Sequence, residues 1–157
     1  AADRLLLLGD LLYHGPRNDL PLGYAPKEVI EQLNQLRDKI FCVRGNCEAE
    51  VDQMVLSFPV LAEFCLLEHQ GRLIFATHGH CYNLNSPPAL APGDILLHGH
   101  THVPAKIQAP GDWWYLNPGS ISIPKEHSAH SYMTLDTQGF LWKNLEDGSV
   151  YDQLELS

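Results

Sequence analysis

The apolar residues of this chain fall into short runs that stop at glycine or at a polar side chain. Residues 5–8 are four leucines closed by Gly9-Asp10. A run this short, stopped by glycine, predicts a parallel strand buried on both faces. Pro26 stands where its missing N–H is harmless at a helix start, and Val29, Ile30, Leu33, Leu36 and Ile40 then recur at helical spacing with charged residues between them. Residues 40–43 predict the next strand, completing a right-handed strand–helix–strand unit, and residues 49–58 a second helix. Residues 61–68 and 73–77 flank His69-Gln70-Gly71-Arg72 and predict a hairpin. Residues 83–92 carry three prolines and read as loop with at most one helical turn, and 94–98 as strand. Past Pro104 the texture changes to short strands at 105–108, 113–116, 131–136, 140–145 and 150–156. They are separated by Pro110-Gly111-Asp112, Gln138-Gly139 and Asp147-Gly148. An alternating front half and a β-rich back half predict an α/β fold, a four-layer αββα sandwich of two mixed sheets. The 157 residues read as one domain, 1–157.

Composition narrows this picture. No apolar run approaches the roughly 20 residues that cross a bilayer, so the chain reads as soluble. No basic, apolar leader with a small-residue cleavage site opens it, and the expected location is the cytoplasm. A formal net charge of −9 argues against strong nucleic-acid binding, which needs a stripe of Lys and Arg. A small anionic substrate remains compatible if a metal supplies local positive charge. Cys42, Cys47, Cys65 and Cys81 form no CxxC pair and fit reduced thiols. Nine histidines beside only ten Lys plus Arg is unusual, and five of the nine lie between His78 and His102. The chain enters its first strand almost at once, which leads us to expect that something is missing from the front.

Four of the predicted strands end in loops that carry metal-ligating side chains: Leu8-Gly9-Asp10, Val43-Arg44-Gly45-Asn46-Cys47-Glu48, Ala76-Thr77-His78-Gly79-His80 and Leu97-His98-Gly99-His100-Thr101-His102. In the last, three imidazoles recur at alternate positions, and an extended backbone points all three to one side. A lone HxH pair is more often a surface accident or a core histidine. Four strand ends of one grammar are not explained that way. Each candidate also has an ordinary alternative. Asp10 is a turn or N-cap residue taken alone, although its strand end is where open α/β sheets place ligands. Asn46 offers a carboxamide oxygen, although Asn after Gly mostly forms turns. Cys47 falls near the start of the second helix, which lowers a thiol pKa; a packed cysteine is the equal alternative. His14, Arg17 and Asn18 make a polar patch suited to a phosphate oxygen, and an exposed loop reads the same. Together Asp10, Asn46, His78, His100 and His102, with His80 nearby, are nitrogen and oxygen donors. Lacking an obligatory thiolate, they point to Mn, Fe or Zn. Asp10, Asn46, His78 and His100 make one plausible four-ligand position. His102 and the second oxygen of Asp10 suggest another ion, bridged by Asp10, about 3.5–4 Å away.

Gly9-Asp10, Gly45-Asn46-Cys47-Glu48, Thr77-His78-Gly79-His80 and Gly99-His100-Thr101-His102, in this order, resemble motifs two to five of the calcineurin-like metallophosphoesterases. Residues 13–18 (YHGPRN), 51–54 (VDQM), 117–120 (NPGS) and 122–125 (SIPK) resemble most closely the small bacterial phosphodiesterases of the YfcE type, over nearly the whole chain. The resemblance implies a bridging role for Asp10, completion of one metal site by Asn46, His78 and His100, and His102 in the other. It implies two divalent ions, usually Mn, with Fe, Zn or Ni as alternatives. It also implies a small phosphodiester substrate hydrolysed by a metal-bound hydroxide and contacted by His14, Arg17, Asn18 and His80; a homo-oligomer is compatible. Two departures stand out. The family's first motif, an Asp and a His at the end of the first strand, has no counterpart, so we expect an N-terminally incomplete domain lacking one strand and one helix, roughly 25–30 residues. Cys47 replaces a histidine that in many relatives helps protonate the leaving group; YfcE-type proteins share it, which marks a diesterase preferring good leaving groups. The competing reading, from another class, is a non-catalytic scaffold of the same fold, as in retromer-like complexes. A nuclease is disfavoured by charge and size.

Overall fold

Alternation along three central strands decides the layering. The computed structural model describes residues 2–156. Its strands are β1 (Leu5–Leu7), β2 (Ile40–Cys42), β3 (Phe64–His69), β4 (Arg72–Thr77), β5 (Ile95–His98), β6 (Pro104–Gln108), β7 (Trp114–Pro118), β8 (Ser131–Asp136), β9 (Gly139–Asn144) and β10 (Val150–Glu155). The helices are α1 (Pro26–Gln35) and α2 (Glu50–Val55). A five-stranded mixed sheet runs β3-β4-β5-β7-β6, a three-stranded antiparallel sheet β10-β9-β8, and β1 pairs with β2 in parallel. In β4, β5 and β7, Ile74, Ile95, Leu97 and Leu116 point to one face, where they meet Phe140, Trp142 and Leu156 from the three-stranded side. Leu6 and Leu8 of the first strand and its exit pack on the same cluster. The intervening residues Phe75, Leu96 and Tyr115 point to the opposite face. A second core forms where Val29, Ile30 and Leu33 of α1 cover Ile40 and Cys42 of β2. Each buried residue of this size contributes about 1.5–3 kcal/mol, so the two faces anchor the strands whose ends carry the chemistry.

The α/β class and the sheet-on-sheet arrangement expected from the sequence are observed, with four local differences. The first strand is only partly buried, Leu5 being 37% exposed, because β1 has a hydrogen-bonded neighbour on one side only among the described residues. The outer face of the five-stranded sheet is covered by Tyr82 and Leu90 from an irregular segment, with no helix there among the described residues. Third, α2 stops at Val55 instead of reaching residue 58. Pro59 disfavours helix at Phe58. Leu56, Phe58 and Val60 instead run extended, alternating into the core at 3%, 4% and 0% exposure. The Gln53 side chain holds them, bonding the Leu56 and Phe58 carbonyls and the Val60 N–H. Finally, β5 ends at His98, and His100 and His102 both take left-handed φ near +63°. The expected extended geometry over residues 98–102 therefore does not occur.

Candidate metal centre

Two carboxylates lace the first two strand ends together. Glu48 is 4% exposed and accepts the N–H of Asp10 (2.9 Å), Leu11 (2.7 Å) and Gly45 (2.5 Å). In return Asp10 Oδ1 accepts the Cys47 N–H at 2.9 Å. Asp10 sits at φ +56°, a conformation this network holds in place. Gly45 lies where the loops cross, and a side chain there would collide with the Asp10 carboxylate.

The parallel pairing of β4 with β5 brings the other two ends alongside, and the Gly99 N–H donates to the His78 carbonyl at 3.0 Å. His78 Nε2 then lies 3.0 Å from Asn46 Oδ1, 3.0 Å from His100 Nδ1 and 3.3 Å from Asp10 Oδ2. Ligand atoms of Asp10, His78 and His100 lie within 4.8 Å of one another. His78 Nδ1 faces the Leu8 carbonyl at 2.6 Å, so its proton is committed there and Nε2 faces the cluster. Burial opposes charge on both members of the central pair, yet their mutual hydrogen bond and attraction prevail. The Asp10 carboxyl is held below its ordinary range, helped by the Cys47 N–H, and the His78 imidazolium is favoured. Burial and the neighbouring His78 hold the His100 imidazole below its ordinary range, so acceptor oxygens and ring nitrogens converge on one point. That donor chemistry fits a divalent cation.

The remaining predicted residues fall around this point. The His80 ring is 5.3 Å from that of His78 and 6.2 Å from that of His100, on an exposed loop. His102 lies outside the compact group; its Nδ1 faces the Ile123 carbonyl at 2.7 Å, and Nε2 has no hydrogen-bond partner among the described residues. Of the two readings of Cys47, the activated thiol is overturned. Burial, reinforced by the Asp10 charge and hydrogen bond, pushes its thiol up to about 12, whereas a helix start was expected to lower it. Cys47 precedes Ala49, the N-cap of α2, and the carboxylates of Asp10, Glu48 and Asp52 dominate its field. The loop of His14, Arg17 and Asn18 abuts the same thiol: a Cβ on Gly15 would sit 3.6 Å from both Cys47 Sγ and Asn18 Nδ2. Asn18 Nδ2 closes this loop on the His14 carbonyl at 2.6 Å, Arg17 is exposed, and His14 Nδ1 is buried without a hydrogen-bond partner among the described residues.

Residues 1–139 match the calcineurin-like phosphoesterase superfamily domain. The chain belongs to that superfamily. It is 44% identical over 156 residues to the phosphodiesterase YfcE of Escherichia coli K12, spanning 99% of this chain and 84% of that relative. The solved structure of that E. coli phosphoesterase superposes with a TM-score of 0.94, covering 99% of this chain and 85% of the other. Two more distant structures share the fold. A conserved uncharacterized protein from Streptococcus pneumoniae TIGR4, described as a predicted phosphoesterase, has TM-score 0.57 and 23% identity, covering 98% of this chain and 82% of the other. Vacuolar protein sorting 29 from Cryptosporidium parvum has TM-score 0.56 and 20% identity, covering 98% of each.

Within this phosphoesterase fold, Glu48 and Asn117 contribute in ways the local sequence does not signal. Glu48, quoted above only as part of a motif, is the clasp between two loops. Asn117 is fully buried and its Nδ2 reaches the Gly99 carbonyl (2.8 Å), Thr101 Oγ1 (3.0 Å) and the Tyr115 hydroxyl (3.0 Å). Its Oδ1 accepts the Gly119 N–H, and Trp142 Nε1 donates to its carbonyl at 2.7 Å. It thereby ties the loop bearing His100 and His102 to the core. His98 takes no part in the cluster: it is buried, stacks on Tyr115 at 4.4 Å, and fills the space where Gly79 lacks a side chain. Burial depresses its pKa to about 4, so it stays neutral.

Proposed function

We propose that the chain is a metal-dependent phosphodiesterase acting on small phosphodiesters, in the cytoplasm. The observation that carries this reading is the convergence of Asp10, Asn46, His78 and His100 donors in a chain 44% identical to a named phosphodiesterase. Those four residues would hold one ion; Asp10 and His102 would contribute to holding a second, and manganese is the expected metal. When bound, such ions lower the pKa of a water towards neutrality, the source of the attacking hydroxide, and offset charge on phosphoryl oxygens.

The protein's own groups do the rest. Asp10, fixed by Cys47 and Glu48, keeps its charge at neutral pH and sets the position of the reacting phosphorus. His14, Arg17 and Asn18 on one side and His80 on the other contact the ester oxygens. Cys47 lies beside Asp10, where many relatives carry a histidine that helps protonate the leaving group, so the reading favours diesters whose alcohol departs readily. Cysteines that stay free fit the assigned compartment, and no helix among the described residues is long and apolar enough to cross a membrane.

Hydrolysis of an aryl phosphodiester with and without Mn2+, on this chain and on Asp10→Asn, tests the proposal. Manganese-dependent turnover lost in the variant supports it. Wild-type turnover in Asp10→Asn refutes the role of that carboxylate, and metal binding without any turnover favours a binding scaffold.

A further inference from the structure

Beside the metal-binding group lies a cleft of about 270 Å3, lined by Arg44, Asn46, Glu63, His80 and Tyr82 among others. Two of these residues join it to the site: Asn46 contacts His78, and His80 lies 5.3 Å from it. The Arg44 backbone is pinned by its N–H on the Ala62 carbonyl at 2.7 Å, while its exposed guanidinium has no hydrogen-bond or ion-pair partner among the described residues. It is close enough to His80 to disfavour a charge there. Glu63 faces the same cleft without pairing with Arg44. Tyr82 forms a fixed wall, its ring edge-on to Phe75 at 5.2 Å and to Phe64 at 6.5 Å.

A phosphodiester held at the metal-binding group carries two ester arms, and this cleft is the adjoining space on the Asn46 side. Resting on the phosphodiesterase reading above, we propose that the cleft seats one arm of the substrate and selects a flat aromatic ring with a hydrogen-bond acceptor and donor on its outer edge. A cavity of about 150 Å3 already holds benzene, so this one admits a substituted ring. Tyr82 supplies the ring contact. Arg44, a donor only, meets the acceptor, and the Glu63 carboxylate meets the donor. A guanidinium and a carboxylate left unpaired in one cleft suit an amide-like edge, the chemistry of aryl carboxamides and nucleobases; a purely anionic arm would meet Glu63, and a purely cationic one Arg44.

Calorimetric titration of the manganese-loaded protein with three non-hydrolysable probes tests this: methylphosphonate, phenylphosphonate and 4-carbamoylphenylphosphonate. Affinity is expected to rise about threefold from methyl to phenyl, and about threefold again to carbamoylphenyl. When Arg44→Met is combined with Glu63→Met, which removes both polar partners and keeps apolar stems, the ratio of carbamoylphenyl to phenyl affinity falls to about one. Equal methyl and phenyl affinities, no carbamoyl preference, or a preference that survives this double variant overturns the assignment. Methylphosphonate binding without discrimination between arms sinks this proposal alone. If no probe binds the metal-loaded protein, the phosphodiesterase reading fails with it.

Discussion

Replacing Glu48 by Gln removes one charge and keeps the number of heavy atoms in the clasp. The carboxylate accepts three backbone N–H groups, Oε2 serving Asp10 and Gly45 and Oε1 serving Leu11. A carboxamide oxygen placed at Oε2 keeps two of these bonds in neutral form and turns an NH2 group towards the Leu11 N–H. A bond to a charged acceptor contributes about 1.5–3 kcal/mol and is roughly twice as strong as a neutral one. Losing one and weakening two therefore destabilises the fold by about 3–6 kcal/mol. At a urea dependence of about 2 kcal/mol/M the unfolding midpoint drops by roughly 1.5–3 M. The same change releases the backbone of Asp10 from its left-handed conformation, so Mn2+ affinity falls about 10- to 100-fold, as when other supporting partners of metal ligands are removed. Urea unfolding followed by far-ultraviolet circular dichroism, with calorimetric Mn2+ titration of the still-folded variant, measures both. A midpoint within about 0.3 M of wild type, together with unchanged metal affinity, refutes the idea that Glu48 holds Asp10 in place.

Asn117→Ala leaves the Gly99 carbonyl and the Gly119 N–H without their partner, and is expected to destabilise by about 2–4 kcal/mol and to weaken metal binding. An altered visible spectrum of bound Co2+ would report a moved His100, and an unchanged spectrum would contradict the positioning role. In metal-free protein the Cys47 thiol, pushed up to about 12 chiefly by burial and the Asp10 charge, stays protonated well above neutrality. Its thiolate fraction at pH 8 is then on the order of 10³-fold below that of an ordinary thiol. Peptide mapping after iodoacetamide treatment should show Cys81 labelled first and Cys47 speeded by Asp10→Asn; labelling of Cys47 at the rate of Cys81 would contradict that field.

The strand ends were legible because glycine punctuates each of them and the side chains that follow share one chemistry. Pairing β4 with β5 then turns two distant HxH-like stretches into neighbours. Geometry within the loops was not legible. Alternate spacing in residues 98–102 suggests three rings on one face, but His98 belongs to the strand and points into the core, while His100 and His102 turn through left-handed backbone. The Cys47 thiol misled for a related reason: proximity in sequence to a helix start says nothing of carboxylates brought from residue 10. Glu48 and Asn117 act through backbone groups 37, 38 and 18 residues away, contacts that no local pattern encodes. Pro26 at the start of α1, by contrast, is a purely local signal and was read correctly.

Equilibrium dialysis of Mn2+ against wild-type protein and against His78→Ala addresses the convergence of donors most directly, because His78 Nε2 is the atom nearest to all three of its fellow donors. Retention of at least one equivalent by the wild type and its loss from a folded His78→Ala is the outcome expected. Equal retention by both proteins would mean that these side chains meet for some other reason than to hold a metal.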